Sequence, residues 1–517
     1  MLRVFRNELQ EPDRFTVTLE LVPGRETRGR SVDKVMGIAR DAFADGRVSA
    51  VSITDNPGGN PSLSPDVLGY EIFKTGMDVI VHFTCRDANR VGMESRALQL
   101  AKMGMKNILA LTGDYTGKGF GGQGAPVFDL DSVHLQILLS MLTKRIRASG
   151  DPDGFFTGCA VSPFKSTEGE CYAQYAKFCR KTAAGAKFAI TQLGYDARKF
   201  EELMLIQERM DRSLPTLGSV YLLTPRAASV MNQGKVPGVV VPDKLLDAVR
   251  REWQNKKAGL DAAVERAARL AAVLKGLGYK GVHIGGIHGS FEAVGRILDR
   301  LSLIEKDWKK FLPDFEFPQP GVFYAFPRRK KVEKAAKPVP RFGEYKTHLG
   351  LMEKMHFHLL RKVHNIFFTF NSPLAPLNHN LCRLLTKWRQ GALFMHLTED
   401  PAKKLLLRCE RCGDCGIQHV GFLCPQSGCP KHMRNGACGG SRDGYCEVHP
   451  ERFCVWYRAY GRWASVGTPE AMREGCVPPR MWELDRTSAW LNFHLEKDHQ
   501  SASNELARFC RERSCSL

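Results

Sequence analysis

One carboxylate sits where an apolar run should have none. In Thr18-Leu19-Glu20-Leu21-Val22-Pro23 a single acid interrupts residues that read as a buried strand. Burial disfavours the charged form and raises a carboxyl pKa, which suits a general acid. A paired structural glutamate would look the same in sequence. Further apolar runs also end in small or polar groups: Thr54-Asp55-Asn56, His82-Phe83-Thr84-Cys85-Arg86-Asp87, Leu111-Thr112-Gly113-Asp114 and Thr191-Gln192. Several such endings converging on one face would make a site.

A second chemistry lies near the C-terminus. Of 16 cysteines, eight fall at Cys409, Cys412, Cys415, Cys424, Cys429, Cys438, Cys446 and Cys454. Such density in a chain expected to be cytoplasmic points to metal or cluster ligation rather than disulfides. Eight thiolates supply two four-cysteine sites. Three cysteines at successive two-residue gaps, followed by Cys424-Pro425 and Cys429-Pro430, have the wording of bacterial ferredoxins, with the fourth ligand displaced. Zinc is the alternative: a second Cys-x2-Cys knuckle is missing, but His419, His432 or His449 could complete a site.

These groups need a scaffold. Eight short apolar segments, Phe15–Val22, Ser49–Thr54, Val79–Phe83, Asn107–Thr112, Gly154–Val161, Lys187–Gln192, Gly218–Leu222 and Gly281–Ile284, alternate with helical periodicity over Ser31–Phe43, Ala88–Met103, Asp131–Ile146, Glu170–Ala184 and Asp261–Leu277. Strands buried on both faces and alternating with helices predict an α/β fold, a (β/α)8 TIM-type barrel over residues 1–305. A basic, Pro-containing linker is expected over 306–345. A small cysteine-rich α+β metal- or cluster-binding domain follows over 346–517, with helices at Leu349–Phe368 and Asn380–Met395.

Bulk properties narrow the class. The chain has 517 residues, 43% hydrophobic and 25% charged, with net charge +20. The positive charges are spread out apart from Arg328-Arg329-Lys330-Lys331, which reads first as a solvated linker, so nucleic acid is not an expected partner; a basic surface steering an acidic protein or polyanionic substrate is the second option. The N-terminus lacks the apolar core of a secretory signal and no run is long enough to span a bilayer, which predicts a cytoplasmic protein. Homo-oligomerisation is left open.

The ordered set Leu19-Glu20 to Pro23, Val51-Ser52-Ile53-Thr54, Val81 to Ala88, Ile108 to Asp114 and Gly185 to Gln192 resembles the methylenetetrahydrofolate reductase family, most closely over residues 15–225. The resemblance implies a barrel that holds FAD at its strand C-termini and reduces 5,10-methylenetetrahydrofolate to 5-methyltetrahydrofolate. It implies that Glu20 is the acid that assists folate ring opening. Asp114 would lie near flavin and pterin, and Gln192 would contact folate. Thr54, His82, Leu111, Gly113, Asp114, Phe128 and Lys181 fall on flavin-contact positions, Lys181 suited to phosphate. Thr112 stands where an arginine is common in bacterial members, which brings FMN into view. Leu222 to Arg226 lacks the aromatic residue expected to stack on nicotinamide or folate. The cysteine region looks like the C-terminal module found with some members of the family, implying electrons from a ferredoxin-like carrier as an alternative to NAD(P)H. Two other functions compete: a methyltransferase or demethylase acting on methyltetrahydrofolate without flavin, and a zinc-containing binding protein on a barrel scaffold.

Overall fold

The structure is a computed structural model that describes residues 4–210, 212–287, 289–327, 339–343, 349–501 and 505–512. The basic run Arg328–Lys331 and His288 lie outside the described residues. Eight strands, β1 (Thr16–Leu21), β2 (Ala50–Ile53), β3 (Val79–Thr84), β4 (Asn107–Leu111), β5 (Phe156–Val161), β6 (Phe188–Thr191), β7 (Thr216–Tyr221) and β8 (Gly281–Gly285), form one closed barrel. Each pairs in parallel with its neighbours in sequence, and β1 closes on β8. Every strand lies within two residues of its expected position.

Alternation along each strand assigns the two faces. Val17, Leu19, Leu21, Val51, Ile53, Val79 and Val81 point outward into the core shared with the helices. Ala50, Ile80, Leu109, Phe156, Phe188 and Leu217 fill the barrel. The helix Val4–Gln10 plugs the N-terminal end, with Phe5 edge-on to Phe156 at 6.0 Å and to Phe188 at 5.2 Å. A Cβ on Gly158 would fall 2.3 Å from the Phe188 ring, so this position must be glycine for the aromatic plug to fit. With that end packed by hydrocarbon, the interior polar groups Thr18, Ser52, His82 and His283 sit above it, toward the strand C-termini.

The linker hugs the barrel at its start. Phe315 is buried, Lys199 Nζ donates to Phe323 O at 2.7 Å, and Ala325 N donates to Glu202 Oε2 at 2.6 Å. Beyond it come the helices Leu351–Phe367, Ala375–Lys387 and Gly391–Leu407. The single helix expected over Asn380–Met395 is therefore two. The chain turns at Trp388–Gln390, and Gly391 packs so tightly that a Cβ would sit 1.9 Å from Leu385 O.

The cysteine module is built from short helices and turns around Trp456, Ala459, Tyr460 and Phe422. Its β-structure, among the described residues, is limited to isolated bridges of Tyr445 with Arg442 and Phe453. Outside the eight-cysteine cluster, Cys476 and Cys510 are joined as a disulfide, which the cytoplasmic reading did not anticipate.

The module is seated on the barrel. Its helix Val455–Ala464 packs against Glu168–Ala183, and Tyr460 Oη donates to Glu168 Oε1 at 2.5 Å. Asn435 N donates to Asp131 Oδ2 at 3.0 Å, while the other Asp131 oxygen caps the helix Ser132–Ala148. Burial works against the Asp131 charge, but His134, Lys177 and two backbone N–H groups hold its pKa well below the usual range.

Candidate active site and cysteine centres

Glu20 points into the barrel two residues above Thr18, beside a cavity of about 210 Å³ that Lys34, Tyr221 and Gly286 also line. A Cβ on Gly285 would come within 2.9 Å of Glu20 Oε2, so the glycine makes room for the carboxyl. Burial raises the Glu20 pKa, and no cation offsets it. Tyr221 beside it is raised to about 12, first by burial and then by the Glu20 charge. This ring ends β7 one residue before the segment that lacks an aromatic in sequence; a Cβ on Gly286 would meet it at 2.8 Å. Asp114 and Gln192 do not line the Glu20 cavity.

Below Glu20 lies a neutral polar layer. His283 Nδ1 is 2.8 Å from Thr18 Oγ1, and its Nε2 is 3.4 Å from Ser52 Oγ. Burial depresses His283 to about 3 and His82 to about 4, with the His82 imidazole further disfavouring a charge on His283. His82 Nε2, Thr54 Oγ1 and Ser162 Oγ are buried without a hydrogen-bond partner. Unsatisfied buried polar atoms are uncommon in folded proteins. Their grouping near strand ends fits a polar heteroaromatic ligand such as a flavin.

The remaining candidates are held in different ways. Asp114 Oδ2 accepts from Gly58 N at 3.0 Å, tying the loop after β4 to the loop after β2. Gly113 has φ of 89°, and a Cβ there would lie 3.0 Å from Thr84. Leu111 is half-buried at the β4 end. Gln192 accepts from Leu193 N at 2.9 Å and donates to Pro237 O at 3.2 Å. Lys181 Nζ donates to Ala160 O at 2.7 Å, and burial lowers its pKa to about 8. Phe128 is buried in the core shared with the cysteine module and stacks on Tyr115 at 6.2 Å.

Residues of the module reach this rim, which nothing local in the sequence signals. Lys431 Nζ donates to Gly113 O at 2.8 Å, pairs with Glu447 and lies 5.7 Å from the Phe128 ring centre. Lys165 Nζ donates to Gly439 O at 2.7 Å and to Ser441 O at 2.5 Å. A Cβ on Gly238 would meet Gly439 O at 2.8 Å and Gln192 Nε2 at 3.4 Å, so Cys438-Gly439 lies close to the β6 rim.

The eight cysteines divide into two groups of four. Cys409, Cys412, Cys415 and Cys424 line one cavity with Lys403 and Arg434. Cys429 interacts with Cys446, Cys438 with Cys429, and Cys454 with both Cys438 and Cys429. Burial raises most of these thiols, Cys412 to about 11 and Cys415 to about 12. A bound cation would have to favour the thiolates. Among the described residues the His, Cys, Asp and Glu trio with ligand atoms within 4.8 Å of one another is Asp414, Asp498 and His499, and no trio of the eight cysteines is that close. Asp414 is committed to Arg434 at 2.7 Å and to His499. His419 contacts His499, His432 contacts Gln426 O and His449 contacts Glu451.

A (β/α)8 barrel closed at one end and polar at the other places its chemistry at the strand C-termini, where ligands bind in this architecture. Residues 5–302 match the family Methylenetetrahydrofolate reductase, and residues 391–483 match Methylene-tetrahydrofolate reductase C terminal. The chain belongs to the methylenetetrahydrofolate reductase family. It is similar to the "Probable methylenetetrahydrofolate reductase (NADPH)" of Caenorhabditis elegans, 27% identical over 40% of this chain and 30% of that one. It is also similar to "Methylenetetrahydrofolate reductase 1" of Schizosaccharomyces pombe, 22% identical over 58% of this chain and 49% of that one. The matches thus span between 30% and 49% of the length of these relatives. Among solved structures, a Clostridium thermocellum protein described as binding two copies of 5-methyl-5,6,7,8-tetrahydrofolic acid superposes at TM-score 0.38 with 10% identity, over 59% of this chain and 99% of that one. The EDTA monooxygenase of Chelativorans sp. BNC1 superposes at 0.35 with 11% identity, over 57% and 94%.

Proposed function

We propose that this chain reduces 5,10-methylenetetrahydrofolate to 5-methyltetrahydrofolate at the barrel mouth with a bound flavin, FAD or FMN, and that electrons enter through the cysteine module. The flavin, when bound, supplies two-electron hydride chemistry. The residues of the chain supply position and protons. Glu20, whose pKa burial raises, would give a proton to the folate nitrogen that leaves the bridging carbon. Thr54 Oγ1 and His82 Nε2 offer unspent hydrogen bonds to a ring system. Asp114 and Gln192, on the β4 and β6 ends, would orient flavin and pterin.

The observation that carries electron entry is the contact of the second cysteine group with the rim: Lys431, two residues after Cys429, reaches Gly113 O, and Gly439, next to Cys438, reaches the Gln192 side. Iron–sulfur ligation is supported by the cysteine spacing. Four thiolates about 2.3 Å from one zinc ion would bring sulfurs within roughly 4 Å of each other, closer than any trio of the eight cysteines among the described residues. Anaerobic purification with iron, acid-labile sulfide, zinc and flavin analysis is the test. Bound flavin with about four or eight iron and sulfide per chain is expected; zinc without sulfide refutes electron entry by this route, and absence of flavin refutes the reductase reading. NAD(P)H is the second reading for the donor. Tyr221 beside Gly286 offers a ring for stacking, and rapid flavin reduction by NAD(P)H in chain stripped of iron would establish it.

A further inference from the structure

The three helices between linker and cysteine module carry apolar residues on two faces. On Leu351–Phe367 the inward face is Phe357, Leu360 and His364. A second stripe at helical spacing, Met352, Met355, Leu359, Val363 and Ile366, is exposed. Ala375–Lys387 repeats the arrangement: Asn378, Cys382 and Leu385 face in, while Leu377, Leu381, Leu384 and then Trp388 are exposed. Gly391–Leu407 adds Leu393, Phe394 and Leu397. The first two helices pack on each other and the second packs on the third. With about half of each side chain exposed, these residues present on the order of 1,000 Å² of apolar surface summed over the three helices, where the largest single patch on a typical monomer is roughly 300–600 Å². The first two helices lie outside both segments that match the family, 5–302 and 391–483.

Charge selects the occupant. Between Gly350 and Arg408 there are three acids against nine Lys and Arg. The acids are already engaged: Glu353 with Arg458 and Arg462, Glu399 with Lys403, Asp400 with Arg411. Lys354, Lys362, Arg383, Lys387, Arg389 and Lys404 are exposed, with no carboxylate partner among the described residues. A second copy of the chain would bring like charges to a shared interface without an acid to meet them, which opposes association. The occupant therefore combines apolar depth with negative charge. Flexible lysines around bulky aliphatic and aromatic groups suit a lipid headgroup layer, whereas lysine is depleted in protein–protein interfaces.

We propose that these helices dock the protein peripherally on an anionic membrane surface, apolar stripes among the acyl chains and lysines and arginines at the headgroups. No helix among the described residues is long and apolar enough to cross a membrane, so the contact lies in the plane of the surface.

The test is co-sedimentation of the full chain with vesicles of phosphatidylcholine alone and of an equal mixture of phosphatidylcholine and phosphatidylglycerol. Sedimentation with the anionic vesicles alone, weakened by salt, is expected. Leu359→Gln with Leu381→Gln should abolish it with flavin content unchanged. Should that variant misfold, Lys354→Gln with Lys362→Gln replaces it, and partitioning should fall roughly fivefold for each cation removed. A chain that stays in the supernatant with anionic vesicles overturns the proposal, as does a dimer that the same leucine substitutions dissociate without any vesicle binding.

Discussion

Replacing Lys431 by Met tests whether the cysteine module is locked onto the barrel mouth. The ammonium is 3% exposed and its partner Glu447 7% exposed. Burial pulls the lysine pKa down, but the neighbouring charges, Glu447 foremost and Asp114 among them, hold it well above its ordinary range. Lys431→Met strands a buried carboxylate that keeps the Cys438 thiol at 3.2 Å as a contact, and it leaves Gly113 O without its donor. Breaking one side of a buried pair costs about 3–5 kcal/mol, with the orphaned carbonyl contributing within that range. Glu447→Gln added to Lys431→Met removes the stranded charge, so the double variant should recover about 2 kcal/mol of that loss. The assay is urea unfolding of anaerobically prepared chain followed by tryptophan fluorescence, Trp456 being buried in the module. A midpoint shift at constant slope reports stability alone. Additive effects of the two substitutions, or a Lys431→Met cost below about 0.5 kcal/mol, would refute the lock.

Other expectations follow from single features. Glu20→Gln should lower folate turnover by about 100-fold or more while flavin stays bound; because burial raises the Glu20 pKa, its acid form is present at low pH and lost as pH rises through the folded value, so the wild-type rate should fall on that alkaline side. His82 and His283 are depressed from 6.5 to about 4 and about 3, so their neutral forms favour the fold above pH 6.5; that stability drains away as pH falls toward those values, seen as a falling melting temperature below pH 6.5. Gly158→Ala puts a methyl 2.3 Å from the Phe188 ring and should cost about 1–3 kcal/mol or prevent folding, measured by thermal melting; an unchanged melting temperature would show that the aromatic plug is loose.

The barrel was legible because its signal is local. Parallel strands buried on both faces read as short apolar runs, and each run from Thr16 to Gly285 appears where its hydrophobicity places it. Glu20 stood out for the same reason, as a charge inside such a run. What escaped was everything set by distant contacts. Lys431 looks like any residue after a Cys-Pro pair, yet it crosses to Gly113, 318 positions earlier. Tyr221 was overlooked because it ends a strand instead of opening the loop after it. His283 lies inside the expected strand Gly281–Ile284, but its contacts with Thr18 and Ser52 depend on barrel closure. Two four-cysteine sites were expected, but which cysteines share a site is likewise a matter of folding; spacing alone allowed other groupings. The outward stripes on Leu351–Phe367 and Ala375–Lys387 share the helical periodicity of a core, so sequence could not tell which apolar face stays exposed.

The central claim is that a flavin and a folate meet at the mouth containing Glu20. It is tested most directly by adding 5-methyltetrahydrofolate to the oxidised, anaerobically purified chain and recording the visible spectrum. Reversal of the proposed reaction moves two electrons from the methyl carbon to the flavin, so bleaching of the flavin band with formation of 5,10-methylenetetrahydrofolate is predicted, and Glu20→Gln, unable to take the proton released on ring closure, should bleach less and form less of that product. A wild-type spectrum unchanged by excess 5-methyltetrahydrofolate would contradict the account.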